Sequence, residues 1–340
     1  MSKIRTIVYG VGATGQNVTR HLAERGVDIV GAIGRVENVG ADLGTVAELD
    51  RELNVEINDD ADDVLENTEA DVAIVSIAST LEEMYPHLKR CLEAGVNVIT
   101  TSEETLYPWY TSPDLAGRLD RIAIENDVTF TGGGYQDIFE VNLPVMLTGA
   151  SRKLDGVDGT NRYNIDDYGP AVVEYFFGGK DRDDVEEKLE RGGAPESLFR
   201  TTLEAQIAEL GLSEADASQK ATPIVADRAV ESEALGRTIQ EGEVLGLEID
   251  VTIETHEGIT FTGTEIAKVY DTEEEDRNEW VIEGTPEMHV VDQPTPVEVG
   301  TSTQIVNRLP DIINYESGFV SVTELPRPKY RVGPLETYLD

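Results

Sequence analysis

The sequence predicts an α/β protein, a doubly wound parallel sheet joined to an α+β second domain whose sheet is largely antiparallel. Three observations carry this expectation. Over the first 150 residues, short apolar runs alternate with amphipathic helical segments at the spacing of βαβ units. A glycine-rich segment, Gly10 to Gly15, stands between the first of those strands and the first of those helices. From about residue 155 the texture changes to runs that alternate apolar and polar residues, as half-buried antiparallel strands do.

Lys3–Tyr9 reads as a buried strand, and Gln16–Arg25 as a helix with Val18 and Leu22 on one face. Asp28–Ile33, Asp71–Ile77, Asn97–Thr100 and Val128–Thr131 read as further strands. Between them, Glu82–Ala94 fits a helix that turns Met84, Leu88, Cys91 and Leu92 inward, and Pro113–Asn126 fits another. In the second half, Asp183–Arg191 and Leu198–Leu210 look helical. Leu245–Thr255 and Thr260–Tyr270 alternate as paired strands across a turn at His256-Glu257-Gly258. Asp271–Arg277 reads as an acidic, solvated loop. The tail from Gly300 carries a helix near Ser302–Leu309 and then a proline-punctuated end.

Composition bounds the function. The 340 residues hold 67 acids against 27 bases, a formal charge of −40. Nucleic acid and anionic membrane both demand a basic footprint, so neither is an expected partner. Only 8 of the bases are Lys against 19 Arg, and acid excess with scarce Lys resembles adaptation to high cytoplasmic salt, where screening tolerates self-repulsion. One cysteine, Cys91, excludes an intrachain disulfide and any cysteine-built zinc or iron–sulfur site held by this chain alone. No apolar run approaches the 18 or so residues of a membrane span. Met1 leads directly into a strand without a signal-peptide layout, so a cytoplasmic location is expected.

Gly10-Val11-Gly12-Ala13-Thr14-Gly15 is the strongest local signal. Gly10 permits the tight turn, Gly12 lets a pyrophosphate approach the backbone, and Gly15 lets helix and strand pack closely, with Ala13 and Thr14 at the helix N-terminus facing the phosphates. This is the fingerprint of a Rossmann-type dinucleotide site. An acid at the end of the second strand would select NAD; Arg35 stands there instead and favours the 2′-phosphate of NADP, although Glu37 leaves NAD open. Three further strand ends point to the same crevice: Ala78-Ser79-Thr80, then Thr100 to Glu104, then Thr131 to Asp137 with its three consecutive glycines Gly132, Gly133 and Gly134. The small residues suit a ribose and a flat nicotinamide; Glu103, Glu104 and Asp137 are carboxylates able to hold an ammonium or move a proton. His21, His87, His256 and His289 lack metal-ligand spacing, and His21 and His87 read as surface or packing residues.

GVGATG, Glu93-Ala94-Gly95-Val96-Asn97-Val98-Ile99, the following TTSEETLYPW and the tail segment Val306-Asn307-Arg308-Leu309-Pro310-Asp311 together resemble the dihydrodipicolinate reductase-like dehydrogenases, the group that includes the 2,4-diaminopentanoate dehydrogenases. The resemblance implies oxidation of a C–N bond in a small amine or amino acid, or its reversal as reductive amination, with NADP or NAD. It also implies that residues 300–340 return to residues 1–150 as the dinucleotide-binding domain, that 151–299 bind substrate or mediate oligomerisation, and that the protein is a homodimer or larger. The histidine pair followed by lysine of the true reductases is missing, which argues against dihydrodipicolinate as substrate. Reduction of another C=C or C=N bond, and a regulatory protein that binds NAD(P) without chemistry, remain the alternatives.

Overall fold

The computed structural model describes residues 3–35, 37–271 and 273–340; Met1 and Thr272, read above as a strand approach and part of the acidic loop, lie outside the described residues. The chain divides into two compact units, Met1–Asn142 with Val297–Asp340, and Leu143–Pro296.

The leading stretch runs β1 (Arg5–Tyr9), α1 (Ala13–Glu24), β2 (Asp28–Ile33), α2 (Leu43–Val46), β3 (Ile57–Asn58), α3 (Ala61–Asn67), β4 (Val72–Val75), α4 (Leu81–Glu93), β5 (Asn97–Thr100), α5 (Pro113–Glu125) and β6 (Thr129–Gly132). The second unit contributes α6 (Leu143–Thr148), β7 (Lys153–Asn164), α7 (Pro170–Tyr175), α8 (Arg182–Glu190), α9 (Phe199–Glu209), β8 (Glu214–Val225), β9 (Val230–Ser232), β10 (Arg237–Ile239), β11 (Val244–Thr255), β12 (Thr260–Lys268), β13 (Arg277–Thr285) and β14 (Met288–Asp292). The chain then returns to the first unit as α10 (Val297–Asn314) and β15 (Gly318–Phe319).

In the first unit, seven described strands form one sheet in the order β15-β6-β5-β4-β1-β2-β3, and every pairing in it is parallel. Its central strands are buried, β4 throughout and β1 from Thr6 on, because helices cover both faces. On one face, Met84, Leu88, Cys91 and Leu92 of α4 pack with Ala116 and Leu119 of α5 and Val64 of α3. On the other, Val18 and Leu22 of α1 meet Ile305, Val306, Leu309 and Ile312 of α10. Each of those α10 side chains is fully buried, and at about 1.5–3 kcal/mol apiece such burial holds the returning helix firmly on the sheet. The expected tail helix, residues 302–309, is therefore only the middle of an 18-residue one. The first helix likewise begins at Ala13 rather than Gln16. Strand order reverses at β1, which has β2 on one side and β4 on the other, so the carboxyl ends of β1 and β4 flank a topological switch point.

In the second unit six of the described strands form one sheet in the order β14-β13-β7-β12-β11-β8, and β9 and β10 pair as a separate two-stranded sheet. All pairs are antiparallel except β7 with β12. Alternate residues face a core built by Val251, Ile253, Phe261, Trp280 and Ile282, against which α9 packs Phe199, Leu203 and Ile207. No helix among the described residues is long and apolar enough to cross a membrane.

Candidate active site

The glycine turn is built by close approach of backbone to backbone. The Gly10 N–H donates to the Ile33 carbonyl at 2.9 Å. Its φ is +107°, and a Cβ at that position would sit 2.1 Å from the Ser76 carbonyl oxygen. A Cβ on Gly15 would lie 1.9 Å from the Gly10 oxygen, so the third glycine is required for helix and turn to meet. Gly12 is different: nothing lies within 4 Å of where its Cβ would point. Gly12 is also the N-cap of α1, and no side chain caps that helix. The first N–H groups of α1 are thus open to an anion, with the positive end of the helix behind them. Gly10→Ala and Gly12→Ala are accordingly expected to part company. Strain and collision should cost the former about 2 kcal/mol or more of stability, whereas the latter should unfold at the wild-type denaturant midpoint yet bind cofactor at least about tenfold more weakly. Chemical denaturation and a fluorescence titration of each variant check this.

Beside the turn opens a cleft of about 840 Å³ at the carboxyl ends of β1, β2 and β4. Gly10, Gly12 and Arg35 line it, as the sequence suggests, and Tyr9, Ser76, His87 and Arg90 line it as well. The Tyr9 hydroxyl meets His87 Nδ1 at 2.6 Å and accepts from Arg90 Nη1 at 3.3 Å, and Arg90 Nε is paired with Asp62 at 2.5 Å. Burial lowers the His87 pKa, and the Arg90 and Arg35 charges lower it further. Burial raises the Tyr9 hydroxyl, against the pull of Arg90. His87 is therefore a wall of the cleft rather than the surface or packing residue its helix position suggests; only the packing of α4 on β1 reveals this. Arg35 is exposed and makes no ion pair among the described residues, in a protein where acids outnumber bases by 67 to 27.

Ala13, Thr14 and Gly15 form the first turn of α1, ahead of the Gln16 start that the sequence suggests. The remaining strand-end residues are more involved with the chain itself than their positions suggest. Ala78 is half-buried after β4, and the Ser79 carbonyl accepts from Ser102 Oγ at 2.6 Å. The Thr80 hydroxyl is occupied as the N-cap of α4: it accepts from the Glu83 N–H at 3.4 Å and donates to the Glu83 carboxylate at 3.0 Å. The close packing that the three glycines allow is against Thr105 for Gly132, and against Ile99 and Gln304 for Gly133. Gly134, at φ +129°, turns its N–H toward Gln304 Oε1 at 2.7 Å.

The three carboxylates separate. Glu104 accepts from the Leu81 N–H at 2.5 Å and from Ser112 Oγ at 2.6 Å, joining the start of α4 to the start of α5. Asp137 is fully buried. Its oxygens accept from Arg308 Nε at 2.8 Å, Arg308 Nη2 at 2.9 Å, Asn142 Nδ2 at 2.7 Å and the Gln304 amide. Burial pushes the Asp137 carboxyl up while Arg308 and Asn142 pull it down; with four donors on two oxygens, the ionised form is the one this site is built to hold. The expectation of a catalytic role at Asp137 thus meets a carboxylate that is fully buried and held by the chain's own donors from α10 and Asn142. Glu103, half-buried, opens the short 3₁₀ turn Glu103–Leu106 directly after β5. No group of three or more metal-ligating side chains gathers among the described residues.

A parallel sheet with an open helix N-terminus at its switch point defines a dinucleotide-binding dehydrogenase fold, and the chain is an NAD(P)-dependent oxidoreductase. More particularly, it belongs to the 2,4-diaminopentanoate dehydrogenase family: the model of that family's C-terminal domain matches residues 140–339, and that of the dihydrodipicolinate reductase N-terminus matches residues 4–104. The chain is 26% identical to 2,4-diaminopentanoate dehydrogenase of Acetoanaerobium sticklandii, covering 98% of this chain and 96% of the relative. An amine dehydrogenase structure from Mycobacterium smegmatis superposes with a TM-score of 0.91 at 40% identity, over 98% of both chains. A probable dehydrogenase from Thermotoga maritima, at 13% identity and a TM-score of 0.55 over 84% of this chain and 75% of that one, shares the fold alone.

Proposed function

We propose that the protein is an NADP-preferring amine dehydrogenase that oxidatively deaminates a small amine or amino acid, or runs the reverse reductive amination. The observation that carries the cofactor preference is Arg35, an exposed guanidinium with no ion pair among the described residues, on the wall of a cleft that His87 and Arg90 share with Glu37, Asp59, Asp60 and Asp62. An NADP 2′-phosphate supplies the anion that this guanidinium lacks, and a planar guanidinium suits bidentate contact with it. The N–H groups that follow Gly12 hold the pyrophosphate. Bound there, NADP⁺ supplies the hydride acceptor for the carbon that bears the amine.

The chain's own residues handle the proton. We take Glu103, half-buried at the carboxyl end of β5 on the ligand-binding edge of the parallel sheet, as the acid–base group. It pairs with the substrate ammonium and takes one proton from it, so that the free amine can release hydride; the iminium that results is hydrolysed by water to a carbonyl and ammonia. The families of the two full-length relatives support this reading, since both are named for oxidation of an amine.

The test is a fluorescence titration of NADPH and NADH in molar KCl, for wild type and Arg35→Ala. NADPH is expected to bind more tightly to wild type and about 10- to 100-fold more weakly to the variant, the loss of a charge-assisted contact worth about 1.5–3 kcal/mol, with NADH unchanged. Equal loss for both cofactors would overturn the NADP preference. Reduction of simple ketones that proceeds without ammonia would overturn the amine assignment.

A further inference from the structure

The Asp137 cluster is more than a fold brace, and its placement ties three segments of the first unit to one strand end. β6 ends at Gly132, and the glycine loop 132–134 leads into a widened π-type turn, Asp137–Asn142. Pro144 follows; as part of an ordinary α-helix its ring would collide with the Glu140 carbonyl, which accounts for the widening. Gln304, on α10, does two things at once: its Oε1 accepts from the Gly134 N–H, and its amide nitrogen donates to Asp137. One helical turn on, Arg308 grips both Asp137 oxygens and also donates to the Val322 and Pro326 carbonyls. One turn before, Thr301 Oγ1 accepts from the Tyr135 N–H at 3.2 Å. Thr301, Gln304 and Arg308 thus present one face of α10 to the loop, at the i, i+3, i+7 spacing of a single stripe.

A fully buried ion pair contributes little net stability, since desolvation offsets its attraction. What a fully satisfied pair does provide is one fixed geometry, through a bidentate fork and two amides with no spare lone pair. The fixed element is the backbone at the carboxyl end of β6. β6 lies two strands from β4, roughly 10 Å beyond the switch point, where the nicotinamide half of an extended dinucleotide falls when its adenosine half fills the cleft beside Arg35.

We propose that Gln304 and Arg308 are positioning residues: through Gly134 and Asp137 they fix the 132–137 backbone, buried at every position but Gln136, as a rigid layer beneath the nicotinamide end of the site. This rests on the reading that NADP occupies the cleft with its nicotinamide toward β6. The tail helix is thereby a working part of the cofactor site, acting on ring placement and not on affinity, which the glycine turn and Arg35 set at the other end.

Hydrogen–deuterium exchange and bound-NADPH emission, both on the full-length protein in molar KCl, test the proposal. In wild type, NADPH should slow exchange across 130–142. In Gln304→Leu, the amides of 134–137 should exchange at least about tenfold faster without ligand, NADPH should bind within threefold of wild type, and the emission of the bound nicotinamide should move toward that of free NADPH. Thr301→Val, which removes only the acceptor for Tyr135, should shift both readouts in the same sense by a smaller amount, and it decides the matter if Gln304→Leu does not fold. Wild-type protection at 130–142 that persists unchanged in the variants, with unchanged emission, overturns the positioning role. NADPH binding to wild type without any protection there overturns the placement of the nicotinamide, and the proposal with it.

Discussion

Glu103→Gln is expected to lower turnover by about 10²- to 10⁴-fold, the range a positioned proton-transfer group supplies, while NADPH affinity stays within about twofold of wild type. The amide preserves size and most hydrogen bonds but neither attracts an ammonium nor accepts its proton. Glu104→Gln provides the contrast. Glu104 accepts the N–H of Leu81 at the start of α4 and the hydroxyl of Ser112 before α5, so its loss should appear mainly in stability, at about 1–2 kcal/mol for a charge-bearing cap, with turnover reduced only in proportion to any shift of the β5 end. Steady-state kinetics of both variants in molar KCl, beside thermal melts, separate the two adjacent residues. A larger loss of turnover in Glu104→Gln than in Glu103→Gln would exchange their roles. Little loss in either would move the proton-transfer group off β5 altogether.

The neighbouring carboxylates show how far a sequence can be read. Position relative to strand ends brought Glu103, Glu104 and Asp137 to the right end of the sheet, because a parallel sheet presents all its carboxyl ends on one edge. What distinguishes them is tertiary. Asp137 meets Arg308, 171 residues away, and no local pattern announces such a partner. His87 presents the same limit from the other side: on α4 it reads as one more helical residue, and only the Tyr9 hydroxyl against its ring, with Arg35 and Arg90 nearby, makes it part of the cleft. The Gly10–Gly15 turn, by contrast, is legible because Gly10 and Gly15 answer to backbone collisions that a sequence motif can encode, while Gly12 leaves the helix N-terminus open.

The same division holds for the fold. The long, buried elements of the first unit carry strong hydrophobic periods, and Asn97–Thr100 was placed to the residue. The stretch between 35 and 70 carries no legible pattern because its strand is two residues long and its pairing is decided by β2. In the second unit β7 escaped notice because Gly156 and Gly159 interrupt its alternation; a Cβ at Gly159 would lie 2.5 Å from the Trp280 ring, so the missing side chain is room made for another strand's indole. β8 escaped as an edge strand, exposed or half-buried along its length, with no apolar face to betray it.

Stability is expected to depend steeply on salt. With 67 acids against 27 bases the chain carries an excess of 40 negative charges, and such pairs as Arg182 with Glu186 or Lys89 with Glu93 are exposed, local and open to screening. Repulsion among the remainder acts over about 10 Å in 0.1 M salt and about 3 Å in 1 M. We therefore expect the melting temperature to rise by roughly 10 °C or more between 0.1 and 2 M KCl, equivalent to about 7 kcal/mol for a chain of this size, with most of the gain complete by 1 M. Differential scanning fluorimetry across KCl, with an uncharged osmolyte at matched osmolality, checks it: a flat response to KCl, or an equal response to the osmolyte, would remove charge repulsion as the cause. The same screening reaches the cofactor site. Arg35 is exposed, so its contact with a 2′-phosphate weakens as salt rises, whereas the Gly12 helix terminus binds through hydrogen bonds that salt touches less. Preference for NADPH over NADH should accordingly be widest at the lowest KCl concentration at which the protein remains folded, and narrow steadily above it.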